Sequence, residues 1–314
     1  MVKSVLRGMF WMAMGGLMLS IMNAFMRVMT LEMEPLQAQF VRYGFGFLAL
    51  LPLMLRGPVR RLWPKNMSGQ IWRGLAQAAA LSLFFLALPH MPLADMTAIM
   101  FTTPFFVLVG AALFLNETVT PARWLAAAVG FIGVAIVLWP HLGLDGGAGL
   151  WSLVMLGAAP FFATSFLLTK ALTRDESSDT LVVWQNIVVT VITLPAALYF
   201  WTDPTPQQWG LLAFCGVVGT LAHWCFTRAF YLADISAVQP MRFLDLIWSS
   251  VLGMLLFANT PSATALAGGV VIVMASIWLA RFESGRARVA AAAAAKAEAG
   301  SASSKEAQAT GTAR

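Results

Sequence analysis

The sequence predicts an all-α membrane protein with ten transmembrane helices, arranged as two inverted five-helix repeats. Three observations predict this fold: an apolar composition, ten hydrophobic stretches of spanning length, and a motif pattern that occurs twice. Of the 314 residues, 59% are hydrophobic and only 11% are charged, and the mean hydropathy is +0.76. Because a soluble domain has roughly 25% charged residues, most of the surface is expected to face lipid.

Ten hydrophobic stretches are each about 20 residues long, which is enough for a helix to cross a hydrocarbon core of roughly 30 Å. The first follows Lys3 and Arg7, but it lacks a small-residue cleavage site and nine similar stretches follow it, so we interpret it as a retained span rather than a signal peptide. The predicted spans are 8–28, 36–55, 70–89, 94–114, 122–140, 149–169, 181–200, 208–230, 236–257 and 263–281.

Lysine and arginine residues alternate between the connections in a way that predicts the orientation. They occur before span 1, after span 10 and in every second connection between, whereas the stretches 29–35, 90–93, 141–148, 201–207 and 258–262 contain none. Cytoplasmic loops carry the excess of basic residues, so we expect both termini of an inner-membrane protein to be cytoplasmic. The predicted domains are residues 1–145 (spans 1–5), 146–282 (spans 6–10) and 283–314, a low-complexity cytoplasmic tail.

A short motif opens a hydrophobic stretch in each half of the chain. Leu93-Ala94-Asp95 begins one stretch, and Leu232-Ala233-Asp234 begins another 139 residues later. Two tandem copies with an odd number of spans must lie inverted in the membrane, and such repeats are typical of secondary transporters. Each aspartate precedes a span, so we expect it to cap the free amides of the first helical turn.

Polar side chains inside the spans are the candidate substrate-binding residues. A charged residue well inside a span costs at least about 2.5–3.5 kcal/mol on insertion scales, so such residues usually face a cavity or a partner. Aligning the repeats pairs Arg42 with Gln185, and Thr103 with Arg242, so both halves carry long polar side chains at matching depths. The predicted substrate-binding residues are Asn23, Arg27, Arg42, Tyr43, Thr103, Gln185, His223, Arg242, Asp245 and Trp248.

Two plainer explanations apply to some of these residues. Arg242 and Asp245 are three apart on one helix and could simply neutralise each other, and Arg27 and Arg42 could reach outward to water. If the arginines face a cavity instead, the excess positive charge suits an anionic or zwitterionic metabolite, which could carry a flat ring. Asp245 and His223 are then candidate groups for coupling to protons.

Glu117 lies at the inner end of span 4, where a structural or gating role is more plausible than substrate contact. The sequence suggests no metal site, cofactor or nucleic-acid partner. Besides lipid and substrate, it leaves open whether the protein is a monomer or a homodimer.

Residues 92–134 read PLADMTAIMFTTPFFVLVGAALFLNETVTPARWLAAAVGFIGV, and a second copy begins AFYLADISAVQPMRFLDLIWSS. These stretches resemble the EamA repeat of the drug/metabolite transporter superfamily. The resemblance implies ten helices in two inverted repeats and transport of a small metabolite through a central cavity. The second copy departs from the pattern because Thr260 stands where the first has Glu117. The run Pro240-Met241-Arg242-Phe243 resembles a branch that includes riboflavin and S-adenosylmethionine carriers.

We therefore predict a secondary transporter of a small polar metabolite that works by alternating access and is not an enzyme. A riboflavin or S-adenosylmethionine carrier is an alternative within the superfamily. A membrane-embedded acyl- or prenyltransferase, or a membrane sensor without transport activity, is the alternative from another class. Direction of transport, substrate and coupling ion stay open at this point.

Overall fold

A computed structural model describes residues 2–55, 62–87, 99–100, 102–138, 149–257, 267–286 and 289. The regular structure within these ranges is helical, as the sequence predicts. The helices are α1 (Val2–Glu32), α2 (Pro35–Leu55), α3 (Met67–Ala87), α4 (Thr103–Phe114), α5 (Pro121–Leu138), α6 (Gly149–Leu172), α7 (Ser178–Tyr199), α8 (Pro206–Leu232), α9 (Ile235–Val238), α10 (Leu244–Phe257) and α11 (Ala267–Arg286).

Five of these helices are long and apolar enough to cross a membrane. They contain the segments Val5–Thr30, Leu153–Leu172, Ser178–Tyr199, Pro206–Leu232 and Ala267–Arg286, and α4 is a shorter apolar helix. The count of ten spans stays a prediction. Asp95, and almost all of the predicted tail, lie outside the described residues.

The helices pack in matched sets that follow the predicted repeat. Helix α1 packs most extensively on α8, and α6 packs in the same way on α3. Likewise α1 contacts α10 while α6 contacts α4, and α2 contacts α8 while α7 contacts α3. The counterparts of α1, α2, α3 and α4 in the second half are α6, α7, α8 and α10. When each helix is replaced by its counterpart, the first contact of each pair becomes the second, as expected for two copies related by a pseudo-two-fold axis.

The predicted ninth span is not a continuous helix. Helix α9 ends after one turn, residues Gln239–Phe243 form a 3₁₀ segment, and α10 begins at Leu244. Pro240 explains the break, because proline has no N–H to donate and its ring clashes with the carbonyl group four residues earlier. A 3₁₀ stretch within a helix often marks a functional site, and this one carries Arg242.

Candidate functional site

Arg242 and Asp245 form an ion pair at the break in the ninth span. Arg242 Nε lies 2.8 Å from Asp245 Oδ2, and both side chains are largely buried. The guanidinium group also lies over the rings of Phe226, at 4.6 Å, and Phe166, at 5.6 Å. The two charges therefore do neutralise each other, which was the plainer explanation. However, Arg242 Nη1 and Asp245 Oδ1 are buried and have no hydrogen-bond partner among the described residues, so each group keeps a free site within this part of the chain.

Helix α1 packs against this ion pair through small residues. A Cβ atom at Gly16 would overlap the carboxylate of Asp245, so only glycine permits this approach. One turn further, Ser20 Oγ lies 3.5 Å from the backbone oxygen of Asp245. Positions 16, 20, 23 and 27 follow one face of the helix. Asn23 and Arg27 extend this polar face and are exposed.

A second polar cluster is centred on His223 of α8. Gln185 Nε2 lies 3.1 Å from His223 Nδ1, and the Tyr43 hydroxyl lies 3.5 Å from His223 Nε2. On its other side, Gln185 Oε1 accepts a hydrogen bond of 3.1 Å from Arg73 Nη1. The cluster therefore joins α2, α3, α7 and α8 in one network of hydrogen bonds.

Arg42 lies beside this cluster on α2. Its guanidinium carbon is 4.1 Å from the centre of the Tyr43 ring, and Nη1 lies 2.9 Å from Met22 Sδ, a weak acceptor. The residue is only 4% exposed, so it does not reach outward to water as the alternative explanation allowed. The guanidinium groups of Arg42, Arg73 and Arg242 all act electrostatically on His223.

A small cavity of about 10 Å³, with room for about one water molecule, lies between the ion pair and the His223 cluster. It shares Phe166 and Phe226 with the surroundings of Arg242, and it shares Gln185 and His223 with the second cluster. The remaining lining residues are Gln77, Ser165, Thr169, Thr227 and Phe230. The lining thus combines polar groups with an aromatic wall, as small-molecule sites do, although in this conformation the space is too small for a metabolite.

The sequence-predicted candidates divide into two sets. The structure brings together Arg242 with Asp245, and Tyr43, Gln185 and His223 with Arg42 nearby. The remaining candidates do not join either cluster. The Thr103 hydroxyl at the start of α4 and the Trp248 Nε1 are buried and have no partner within the described ranges, and Asn23 and Arg27 are exposed on α1.

Arg73 is the principal residue that the sequence analysis missed. Its position near the start of a span made it look like one more basic residue of a cytoplasmic loop, yet the structure buries it completely. Gln70, three residues before it, and Gln77, four residues after it, lie on the same face of α3. This spacing of three long polar side chains on an apolar helix was the available signal.

Glu117 binds the start of α9. The chain turns at Asn116, which has a positive φ of 53°, a conformation that asparagine tolerates better than most residues at helix ends. The Glu117 carboxylate then accepts hydrogen bonds from the backbone N–H groups of Ile235 (3.0 Å) and Ser236 (3.1 Å), and from the Ser236 hydroxyl (2.6 Å). This acid therefore caps a helix that belongs to the other half of the chain.

The expectation that Asp234 caps this helix with its side chain is wrong. Asp234 occupies the N-cap position, but its carboxylate makes no capping hydrogen bond. It lies 3.4 Å from Arg123 instead, because Glu117 already occupies the free amides. Arg123 also pairs with Glu283 at 2.9 Å and donates a hydrogen bond of 2.7 Å to the Ser236 hydroxyl. We refer to Glu117, Arg123, Asp234, Ser236 and Glu283 as the α9 cluster.

Helix α11 continues to Arg286, beyond the predicted boundary at residue 282, and this extension places Glu283 against Arg123. Nearby, Lys170 Nζ donates hydrogen bonds to the backbone oxygens of Phe230 (2.7 Å) and Ala233 (2.6 Å). Lysine thereby satisfies carbonyl groups at the end of α8, where a positive charge is favourable. These contacts join α5, α6, α8, α9 and α11 at one end of the molecule.

Comparison with known proteins identifies the family. The model of the EamA-like transporter family matches residues 6–139 and again residues 149–281. A riboflavin transporter of Rhizobium johnstonii is 32% identical over 90% of this chain and 94% of its own length. An S-adenosylmethionine uptake transporter of Rickettsia felis is 27% identical over 88% of this chain and 94% of its own.

A crystal structure superimposes on 90% of this chain and 98% of its own with a TM-score of 0.75. At 16% identity this likeness shows the fold alone. The family and these relatives are transporters and not enzymes, which removes the acyl- or prenyltransferase alternative. Two matches of the family model cover nearly all of the two predicted repeats, and so this multi-pass membrane protein belongs to the EamA-like transporter family.

Proposed function

We propose that this protein is a secondary transporter that moves a small anionic or zwitterionic metabolite across the inner membrane by alternating access. The observation that carries the proposal is the cavity between the Arg242–Asp245 pair and the His223 cluster. Eight of its nine lining residues belong to the second repeat and Gln77 belongs to the first, so both repeats contribute to the site, as expected of a transporter whose halves rock around it. The halves are residues 1–145 and 146–282, and both termini lie in the cytoplasm.

The size of the cavity supports a cycle in which the helices move. Small-molecule sites usually measure about 300–1,000 Å³, and this cavity is far smaller, with room for about one water molecule. A metabolite would therefore enter only when the helices around the cavity separate. The break in the ninth span, between α9 and α10, supplies a place where one half can bend.

The α9 cluster is the proposed cytoplasmic gate. Glu117 and Arg123 come from the first repeat, whereas Asp234 and Ser236 lie at the start of α9 and Glu283 lies near the end of α11. Contacts between the repeats at one end must break when that end opens. The repeat-related position of Glu117 is Thr260, so closure of the opposite end has no equivalent carboxylate, and the gate is asymmetric.

The chemistry of the cavity favours a metabolite that combines charge with a ring. Phe166 and Phe226 offer aromatic faces, and the free atoms of Arg242 and Asp245 offer one donor and one acceptor. Riboflavin and S-adenosylmethionine, the substrates named for the two relatives, both contain a planar heteroaromatic ring. Carriers of these types are therefore the first candidates. Protons are a candidate coupling ion, with Asp245 and His223 as the groups that would carry them.

Transport by purified protein in proteoliposomes tests this proposal. Exchange of labelled riboflavin, S-adenosylmethionine and a panel of anionic metabolites is measured for wild type, Arg242→Ala and the control Arg228→Ala, which removes an exposed arginine of α8. We expect Arg242→Ala to lower exchange of the transported compound by about tenfold or more, as for loss of a charged contact worth 1.5–3 kcal/mol, and Arg228→Ala to match wild type.

Unchanged exchange by folded Arg242→Ala protein would remove Arg242 from the site. Absence of exchange of any compound by wild-type protein, in either direction and with or without a proton gradient, would instead favour a sensor over a transporter.

A further inference from the structure

We propose that Arg42 and Arg73 form a second, anion-binding subsite around His223, which takes the phosphate or carboxylate group of the transported metabolite. This inference rests on the proposed transport function and deepens it. The rest of the metabolite then binds at the Arg242–Asp245 end of the cavity. The substrate class is then a metabolite with a net negative group at one end and a ring or apolar body at the other.

Arg73 is a buried cation whose described partners are all neutral. It is fully buried, and it donates hydrogen bonds to Gln70 Oε1 (2.9 Å), Gln185 Oε1 (3.1 Å) and the backbone oxygen of Leu181 (2.5 Å). None of these acceptors carries a charge, and Arg73 Nε is buried with no acceptor in the described part of the chain. A buried charge is normally paired with an opposite charge, so Arg73 is held in place but not neutralised.

Arg42, on helix α2, is likewise a buried cation whose described partners are all neutral. It is 4% exposed, and its described contacts are a thioether sulfur and the face of an aromatic ring. Its Nε atom is likewise buried without an acceptor. No carboxylate among the described residues lies within ion-pair distance of either arginine, since the ion pairs in those ranges involve only Arg123 and Arg242.

Both arginines converge on the wall of the cavity through one continuous set of contacts. Arg73 binds Gln185, Gln185 reaches His223, His223 reaches the Tyr43 hydroxyl, and Arg42 covers the Tyr43 ring. Gln185 and His223 line the cavity, so they stand between the two guanidinium groups and any bound molecule.

The charge on the two sides of the cavity is therefore unequal. On one side Asp245 already neutralises Arg242, and on the other side two positive charges remain without an opposite charge in the described residues. An anionic group placed beside Gln185 and His223 would neutralise this side. It would act on the two guanidinium groups through the attraction of opposite charges, which is strong where water is excluded.

Matched pairs of ring compounds that differ in one anionic group test the subsite. Binding of riboflavin and of its 5′-phosphate, and of nicotinamide and nicotinate, is measured to full-length protein in nanodiscs without any gradient. Inorganic phosphate is included as a competitor and as an additive in thermal unfolding. The variants are Arg42→Gln, Arg73→Gln and Arg42→Lys, and the matched control is Arg228→Gln.

We expect wild type and the control to bind the anionic member of at least one pair about tenfold more tightly than the neutral member, because the two positive charges attract only the anionic member. The phosphate arm and the carboxylate arm show which group is preferred. In Arg42→Gln and Arg73→Gln the difference should fall to about twofold or less. Arg42→Lys should keep it, because Arg42 contributes charge rather than a fixed set of hydrogen bonds, and this variant also serves if a glutamine variant does not fold.

The proposal is overturned if wild-type protein binds no anionic member more tightly than its neutral partner and inorganic phosphate does not raise its unfolding temperature. It is equally overturned if the preference survives in folded Arg42→Gln and Arg73→Gln proteins. Failure of the transport function has a different signature, because wild-type protein would then show the anion preference in nanodiscs but no exchange in proteoliposomes.

Discussion

Replacing Glu117 with glutamine should loosen the start of α9 by a predictable amount. The Glu117 carboxylate accepts three hydrogen bonds, from the N–H groups of Ile235 and Ser236 and from the Ser236 hydroxyl. A glutamine side chain has one carbonyl oxygen, and its NH₂ group would face a backbone N–H that also needs an acceptor. One donor is therefore left unsatisfied, and the favourable interaction of a negative charge with the helix N-terminus is lost as well.

The expected loss is about 1–3 kcal/mol for the unsatisfied donor, with roughly 0.3–1 kcal/mol more from the helix dipole. Since about 1.4 kcal/mol is a factor of ten in an equilibrium constant, the local opening of α9 should become roughly 10- to 700-fold more populated. Hydrogen–deuterium exchange measures this opening directly, on the peptide that contains Ile235 and Ser236, with the protein in nanodiscs.

Asp175→Asn is the matched control, because Asp175 is an exposed acid in the turn between α6 and α7. It should leave exchange in the α9 peptide as in wild type. If Glu117→Gln exchanges at the wild-type rate in this peptide, the carboxylate does not hold α9, and the role of the α9 cluster as a gate loses its basis. If exchange rises equally over the whole protein, Glu117 stabilises the fold in general and not one conformation.

Two further predictions follow from pairs of matched positions. Glu283 and Asp234 contact the same arginine, Arg123, but Glu283 is buried (7% exposed side chain) and Asp234 is not (52%). Glu283→Gln should therefore lower the free energy of unfolding by roughly 3–5 kcal/mol, whereas Asp234→Asn should change it by about 1 kcal/mol or less, as thermal or denaturant unfolding can determine. Gly16→Ala should abolish or strongly reduce transport at normal expression, because its Cβ would overlap a carboxylate of α10, while Gly44→Ala, where a Cβ meets open space, should transport like wild type.

The helical class and the matched packing of the two halves could be predicted from the sequence, because they depend on properties that a sequence displays directly. Hydrophobic length, the repeated Leu-Ala-Asp motif and the alternation of basic residues report on the membrane and the repeat. The pairing of α1 with α8 and of α6 with α3 agrees with that symmetry. Pro240 also signalled a break in the ninth span, but proline within membrane helices is common enough that the signal alone does not locate a break.

The site could be predicted only in part, because depth along a helix does not determine which way a side chain points. Depth singled out Arg242, His223 and Gln185, which the structure places in the ion pair or along the cavity. The same criterion gave Arg27 equal weight, although Arg27 is exposed, and it passed over Arg73, which lies near a helix end and yet is fully buried. Rotation of each helix about its own axis separates these cases, and that rotation depends on contacts with helices distant in the sequence.

The start of α9 is capped by a residue from the other half of the chain, and not by the local residue that the sequence predicts. Asp234 has the residue type and the position of an N-cap, and a local interaction of this kind would hold the helix in every conformation. The structure assigns the amides to Glu117, which is distant in the sequence and on the other repeat.

A cap supplied from within the helix stabilises all states equally, whereas a cap supplied from the opposite half stabilises only the state in which the halves meet. The interaction thus couples helix stability to closure, and the vacated Asp234 carboxylate adds a weaker, solvent-screened contact with Arg123. The proposed alternating-access cycle needs an end that closes firmly yet opens reversibly, and a single partly buried carboxylate shared between the halves would meet both requirements.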